Sequence, residues 1–315
     1  MRPRMQWGMR RTTICCRRRE AKGEHIEQAE RNLTDAGARH ENSDMAFRPI
    51  DRVLHVLRLV YVLSGIFVAT FALYPWLATC FMLRYQRGQQ VVPQVFHRTM
   101  RRLLGLNVVV RGSPSSLRPL FLASNHTSWL DIIVITSFLP VVFVAKQEVS
   151  SWPFFGWLAH LQRSIFVNRD KRHEVHKAIG RIADALLTGE VVALFPEGTS
   201  TDGTDVSPFR SALVGAVHET FRRSADLSAL AIQPLAITYA GANGKLAVWA
   251  REDATPFFPH LLQVAALRQI DVLLMWGEPM TVDSNSDRKE LTRLLEGAVR
   301  RLVLEAHASK EFARS

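Results

Sequence analysis

The 315-residue chain carries 40 Lys and Arg against 29 Asp and Glu, a formal net charge of +11, and is 47% hydrophobic and 22% charged. That length permits one large domain with appendages, and the basic balance favours an anionic partner: phospholipid headgroups, nucleic acid or an acidic carrier protein. Three cysteines, Cys15, Cys16 and Cys80, have neither metal-ligand spacing nor a disulfide framework, so a reducing compartment is the default.

Residues 1–44 read as a disordered basic arm, with Arg17, Arg18 and Arg19 early and a polar stretch to Asp44; Met45 is a candidate alternative start. No apolar secretory core occurs there. Residues 45–105 read as a membrane-associated helical segment. From 59 to 83 no side chain is charged, long enough for a bilayer span, but Pro75 lies inside it between Tyr74 and Trp76. A single kinked span and a helix that dips into one leaflet and returns both fit. Next comes an amphipathic pattern, with Val92, Val95, Phe96, Met100 and Leu103 at helical spacing and Arg98, Arg101 and Arg102 on other faces. Such a basic helix beside an apolar one suits an anionic membrane surface.

Residues 106–315 alternate short apolar runs with helical patterns, which predicts an α/β domain with a mostly internal sheet flanked by helices. Strands are expected at 108–111, 120–123, 141–145, 164–167, 191–195, 232–239, 246–249 and 270–276. A helix carrying Val175, Ile179, Ile182 and Leu186 should stop at Thr188-Gly189, and a surface helix should run from 288 to about 306. Glycine-rich dinucleotide loops, P-loops and G-x-S-x-G elbows are absent from the sequence, which counts against nucleotide-dependent and serine-hydrolase chemistry.

Where the run Leu120-Phe121-Leu122-Ala123 ends, Asn125 and His126 follow, with Asp131 five positions beyond the histidine. Imidazole titrates nearest neutrality among the side chains, and a carboxylate can fix its tautomer and stabilise the imidazolium. A buried histidine beside a helix-capping aspartate is the structural alternative for two residues alone. Three further clusters fall at predicted strand ends: Ser164 to Asp170, Val191 to Ser200, and Ile232 to Ile237.

Together the four segments resemble, in order, the four blocks of the glycerolipid acyltransferase family, typified by 1-acyl-sn-glycerol-3-phosphate acyltransferase. Asn125, His126 and Asp131 match N-H-x-x-x-x-D; Arg169 ends the second block; Phe195-Pro196-Glu197-Gly198-Thr199 match the third in full; Gln233-Pro234 fit the fourth. Lys146 and Trp152-Pro153-Phe154-Phe155-Gly156 also fit. The resemblance implies the family's fold and direct transfer of an acyl group from a carrier thioester to a lysolipid hydroxyl. His126 would act as general base and Asp131 would hold its imidazole. Glu197, Gly198 and Thr199 would shape the acceptor side, with Glu197 accepting hydrogen bonds from the acceptor. It implies no metal and no dissociable cofactor, the donor being an acyl carrier protein or coenzyme A thioester.

One departure bears on the acceptor. Members acting on lysophosphatidic acid often carry arginine after E-G-T, where this chain has Ser200. The pattern E-G-T-S-x-D-G with Pro208-Phe209-Arg210-Ser211-Ala212-Leu213 resembles the bacterial lyso-ornithine lipid acyltransferases, whose acceptor has no phosphate. Arg169 and Arg210 remain available to an anionic group, so lysophosphatidic acid is the alternative acceptor. The expected setting is the cytoplasmic side of a bacterial inner membrane. Nucleic acid is not expected as a partner, because the arginines scatter among apolar segments without a recognition motif.

Overall fold

The computed structural model describes residues 49–250 and 255–309; the expected basic arm lies outside the described residues. Helix α1 (Pro49–Met82) is unbroken through Pro75. Proline lacks an N–H, and one turn later the Thr79 hydroxyl donates to the Pro75 carbonyl at 2.8 Å. The apolar run is one continuous helix through Pro75, and the chain turns back only after Met82. Its outer side exposes Phe67, Val68, Phe71 and Trp76, and it is long and apolar enough to cross a membrane. After a turn at Arg84, where φ is 51°, helix α2 (Gln86–Leu103) runs back along it. The absence of a side chain at Gly65 permits this approach, since a Cβ there would lie 2.8 Å from Leu103.

Residues 57–315 form one compact unit, so α2 and most of α1 share a core with the sheet: Val62, Met100 and Leu104 pack with Leu120, Leu122 and Ile133. The sheet has eight strands: β1 (Leu106–Arg111), β2 (Leu120–Ser124), β3 (Val142–Lys146), β4 (Ile165–Val167), β5 (Val191–Leu194), β6 (Leu230–Ala240), β7 (Ile270–Trp276) and β8 (Met280–Val282). Their order is β1-β7-β6-β2-β5-β3-β4, with β8 beside the first half of β6. Adjacent strands from β6 through β2, β5 and β3 to β4 are parallel, β7 and β8 are antiparallel to β6, and β1 is parallel to β7. Strands β2, β5 and β6 are buried along their whole length, as expected of parallel strands covered on both faces.

Helix α3 (Leu130–Phe138) follows β2. A 3-10 turn (Gln147–Ser151) and α4 (Phe155–Leu161) follow β3, and α5 (Arg172–Leu187) joins β4 to β5. Short α6 (Ser211–Val214) and α7 (Ala216–Arg223) precede β6; α8 (Gly241–Ala247) and α9 (Phe257–Ala266) precede β7; α10 (Arg288–Ala308) closes the chain. Gly189, at φ 81°, stops α5 where the sequence predicted. One expected strand is corrected. Residues 246–249 are the end of α8 and the loop after it, with Ala247 buried and Leu246 exposed, so their apolar pattern is a helical turn facing the core on one side. Strand β8 was not anticipated, being only three residues long.

Candidate active site

Parallel β2, β5, β3 and β4 end along one edge of the sheet, the usual place for a site in such folds. His126 leaves β2, Glu197 leaves β5 and Arg169 leaves β4, so residues far apart in sequence converge there. Asn125 sets the exit of β2. Its carboxamide donates to the Ile237 carbonyl and accepts from the Ile237 N–H, both at 2.9 Å, extending the β2–β6 ladder by a side chain.

The imidazole Nδ1 of His126 lies 2.8 Å from Asp131 Oδ2. That same oxygen accepts the Thr127 and Ser128 N–H groups at 2.9 and 3.0 Å, while Oδ1 accepts the Tyr239 hydroxyl at 2.7 Å. Asp131 is fully buried in the first turn of α3, where it orients the histidine and holds the loop before the helix; it is not the helix cap, because the N–H groups it accepts precede Leu130 and the N-cap position is Trp129. With the carboxylate on Nδ1, the Nε2 nitrogen of His126 is the one left without a hydrogen-bond partner among the described residues. The imidazole remains 22% exposed and stacks on Phe195 at 4.1 Å. Tyr239 was not singled out by sequence. Its signal was a phenol within an apolar strand, where a buried hydroxyl needs a partner. Burial, then the Asp131 carboxylate, hold the Tyr239 phenol well above its ordinary pKa, so it stays a donor.

Glu197 holds the histidine by its backbone. Oε1 accepts the His126 N–H at 2.7 Å, and Oε2 accepts the Ser207 N–H at 2.8 Å. Thr201 N–H donates to the His126 carbonyl at 2.9 Å, so the turn after β5 holds the peptide groups on both sides of the histidine. The sequence expected Glu197 to face the acceptor; in the structure each of its oxygens receives a backbone donor, and the residue is buried. Burial raises its pKa, against the lowering effect of those N–H donors.

Gly198 adopts φ 82°, which favours glycine. A Cβ there would lie 2.6 Å from Arg169 Nη1 and 3.4 Å from Arg210 Nε, so two guanidinium groups converge over it. Arg169 Nη1 donates to the Gly198 carbonyl at 2.5 Å, and its buried Nε has no partner among the described residues. Burial and then Arg210 lower the pKa of Arg169 from its ordinary value. Thr199 and Ser200 lie half-buried on the same turn, and Arg210 is exposed. Gln233 does not join this group. Its carboxamide braces Ser113, Ser115 and Gly277 at 2.8–2.9 Å.

An apolar cavity of about 190 Å³ opens between α1, α2, α3 and β3. Ile66, Leu73, Phe96, Ile133, Phe143 and Ala145 are among its walls. Phe143 stacks at 5.7 Å on Phe195, the ring that supports His126, so the cavity wall continues into the histidine. Among the described residues no cluster of three His, Cys, Asp or Glu has the makings of a metal site.

Residues 105–238 match the family model described as Acyltransferase. The chain is 35% identical over 269 residues to a lyso-ornithine lipid O-acyltransferase of Brucella abortus, covering 82% of this chain and 99% of that protein. It is 38% identical over 220 residues to the lyso-ornithine lipid O-acyltransferase of Rhizobium meliloti, covering 67% and 74%. The crystal structure of the 1-acyl-sn-glycerophosphate acyltransferase of Thermotoga maritima shares the fold, with a TM-score of 0.55 at 21% identity over 82% of this chain and 98% of that one. An acyltransferase model across the strands that carry His126, Arg169 and Glu197, and a relative matched along nearly its whole length, place this chain in the acyltransferase family as an enzyme of the lysolipid type.

Proposed function

We propose that the enzyme O-acylates lyso-ornithine lipid, taking the acyl group from an acyl carrier protein or coenzyme A thioester at the cytoplasmic side of a bacterial inner membrane. The observation that carries the chemistry is the His126–Asp131 pair, with Nδ1 bound to carboxylate and Nε2 left without a protein partner. An alcohol is a weak nucleophile at neutral pH. Nε2 takes the proton of the acceptor hydroxyl as its oxygen attacks the thioester carbonyl; the C–S bond then breaks, and the imidazolium gives that proton to the leaving thiolate, regenerating the base. Asp131, held by Tyr239 and two backbone N–H groups, keeps the imidazole in one tautomer and stabilises the imidazolium. No acyl-enzyme is needed, and no metal or dissociable cofactor takes part.

The apolar cavity suits the fatty acyl chain, since hydrocarbon binds where water has few polar partners. Arg98 and Arg102 are exposed along α2, and Arg101 lies over the Phe138 ring at 4.7 Å. This basic face suits an acidic carrier or anionic headgroups, and the exposed apolar side of α1 suits lipid. Ser200, where a third guanidinium would stand, and the names of the two relatives support lyso-ornithine lipid as acceptor. Lysophosphatidic acid is the second reading, favoured by the convergence of Arg169 and Arg210.

The test is expression in a host lacking ornithine lipids, with either acceptor supplied and products read by lipid mass spectrometry. A new acylated ornithine lipid, absent with His126→Ala, supports the first reading. Phosphatidic acid as the sole product overturns it.

A further inference from the structure

The register of β3 and β4 brings an acidic residue and Arg169 out of the sheet side by side. Lys146 and Val167 are paired at the ends of these two strands, so the chain leaves the sheet at the same point on both. The 3-10 turn that begins at Gln147 carries Glu148, and two residues past Val167 stands Arg169. Glu148 is exposed; burial and Arg210 lower the Arg169 pKa, and the Glu148 carboxylate opposes them by favouring the charged guanidinium. Arg169 in turn converges with Arg210 over Gly198. The acceptor side of the site therefore combines two cations with an anion.

A phosphate monoester carries nearly two negative charges and would be repelled by a neighbouring carboxylate. An N-acylated diamino acid has the opposite requirement. Its amide is neutral, its carboxylate carries one negative charge, and its side-chain ammonium one positive charge. We propose that Glu148 binds the side-chain ammonium of the amino-acid headgroup while Arg169 and Arg210 bind its carboxylate. The assignment rests on the acceptor proposed above and adds the group that reads the amine. Asp170 also carries a carboxylate, but it lies past Arg169 and is exposed at the start of the loop into α5.

The experiment compares kcat/KM of the full-length enzyme for lyso-ornithine lipid and for the same molecule with its side-chain amine acetylated. The wild type should prefer the free amine. That preference should fall about threefold in Glu148→Gln and about tenfold in Glu148→Lys, the scale expected when one exposed charge pair is neutralised or made repulsive. Because the preference is a ratio on one protein sample, partial misfolding does not move it. Asp170→Asn should retain the preference. An unchanged preference in Glu148→Lys, an equal loss in Asp170→Asn, or no preference in a wild type that acylates lyso-ornithine lipid well would each overturn the assignment. A wild type that acylates lysophosphatidic acid and neither amino-acid acceptor would instead remove the proposed acceptor, and this assignment with it.

Discussion

Glu197 and His126 are joined through the histidine's peptide N–H at 2.7 Å, not through its imidazole. The carboxylate of the E-G-T turn thereby fixes where β2 delivers the histidine, while Asp131 fixes how the ring is turned. Glutamine at 197 would present an amide NH2 toward one of two N–H donors, His126 or Ser207. Glu197→Gln should therefore lower stability by about 2 kcal/mol and reduce kcat, with little change in acceptor KM. Chemical denaturation beside steady-state kinetics checks this; full stability with a raised acceptor KM would instead place Glu197 against the substrate.

His126→Ala should reduce turnover by about 10²–10⁴ while leaving binding to anionic vesicles intact, because the membrane-facing helices do not depend on it. Tyr239→Phe keeps the ring and removes one of the hydrogen bonds to Asp131. Two backbone donors remain, so a loss of about tenfold in kcat is expected, smaller than for His126. Vesicle co-sedimentation and kinetics on the same preparations separate the two effects.

Gly198→Ala adds a methyl group 2.6 Å from Arg169 Nη1 at a backbone φ of 82°. Strain of about 1 kcal/mol and displacement of the guanidinium should follow. The acceptor KM should rise more than kcat falls, and titration of acceptor at saturating donor tests that split.

Ala145 lines the apolar cavity, and phenylalanine there would shorten it. Ala145→Phe should lower kcat/KM for long-chain thioesters about tenfold and favour shorter ones. A donor series differing by two carbons measures the shift; an unmoved optimum would mean that the acyl chain lies elsewhere.

His97 is buried at the wall of that cavity, 3.0 Å from Gln162 Oε1, and burial pulls its pKa from 6.5 to about 4. Between those pH values the unfolded chain binds more protons than the folded one, so stability falls on acidification. The contribution is complete above pH 6.5 and lost progressively toward pH 4, up to about 3 kcal/mol. His97→Leu should flatten this acid limb in urea denaturation across that range.

The sequence by itself determined the strands that carry the chemistry, because parallel strands covered on both faces must be apolar throughout, and Val191 to Leu194 or Leu120 to Ala123 could be little else. It also placed His126, Arg169 and Glu197 at strand ends, since polar groups directly after an apolar run mark where a chain leaves the sheet. Strand order and hydrogen-bond partners were left to the tertiary structure, because contacts between distant segments leave no periodic trace. Only folding brings Tyr239 to Asp131 across 108 residues and turns Glu197 inward onto the His126 peptide across 71. Residues 246–249 show the same limit: their short apolar pattern fitted a strand, but they end the helix at 241–247 and begin the loop after it, with Ala247 buried and Leu246 left to solvent.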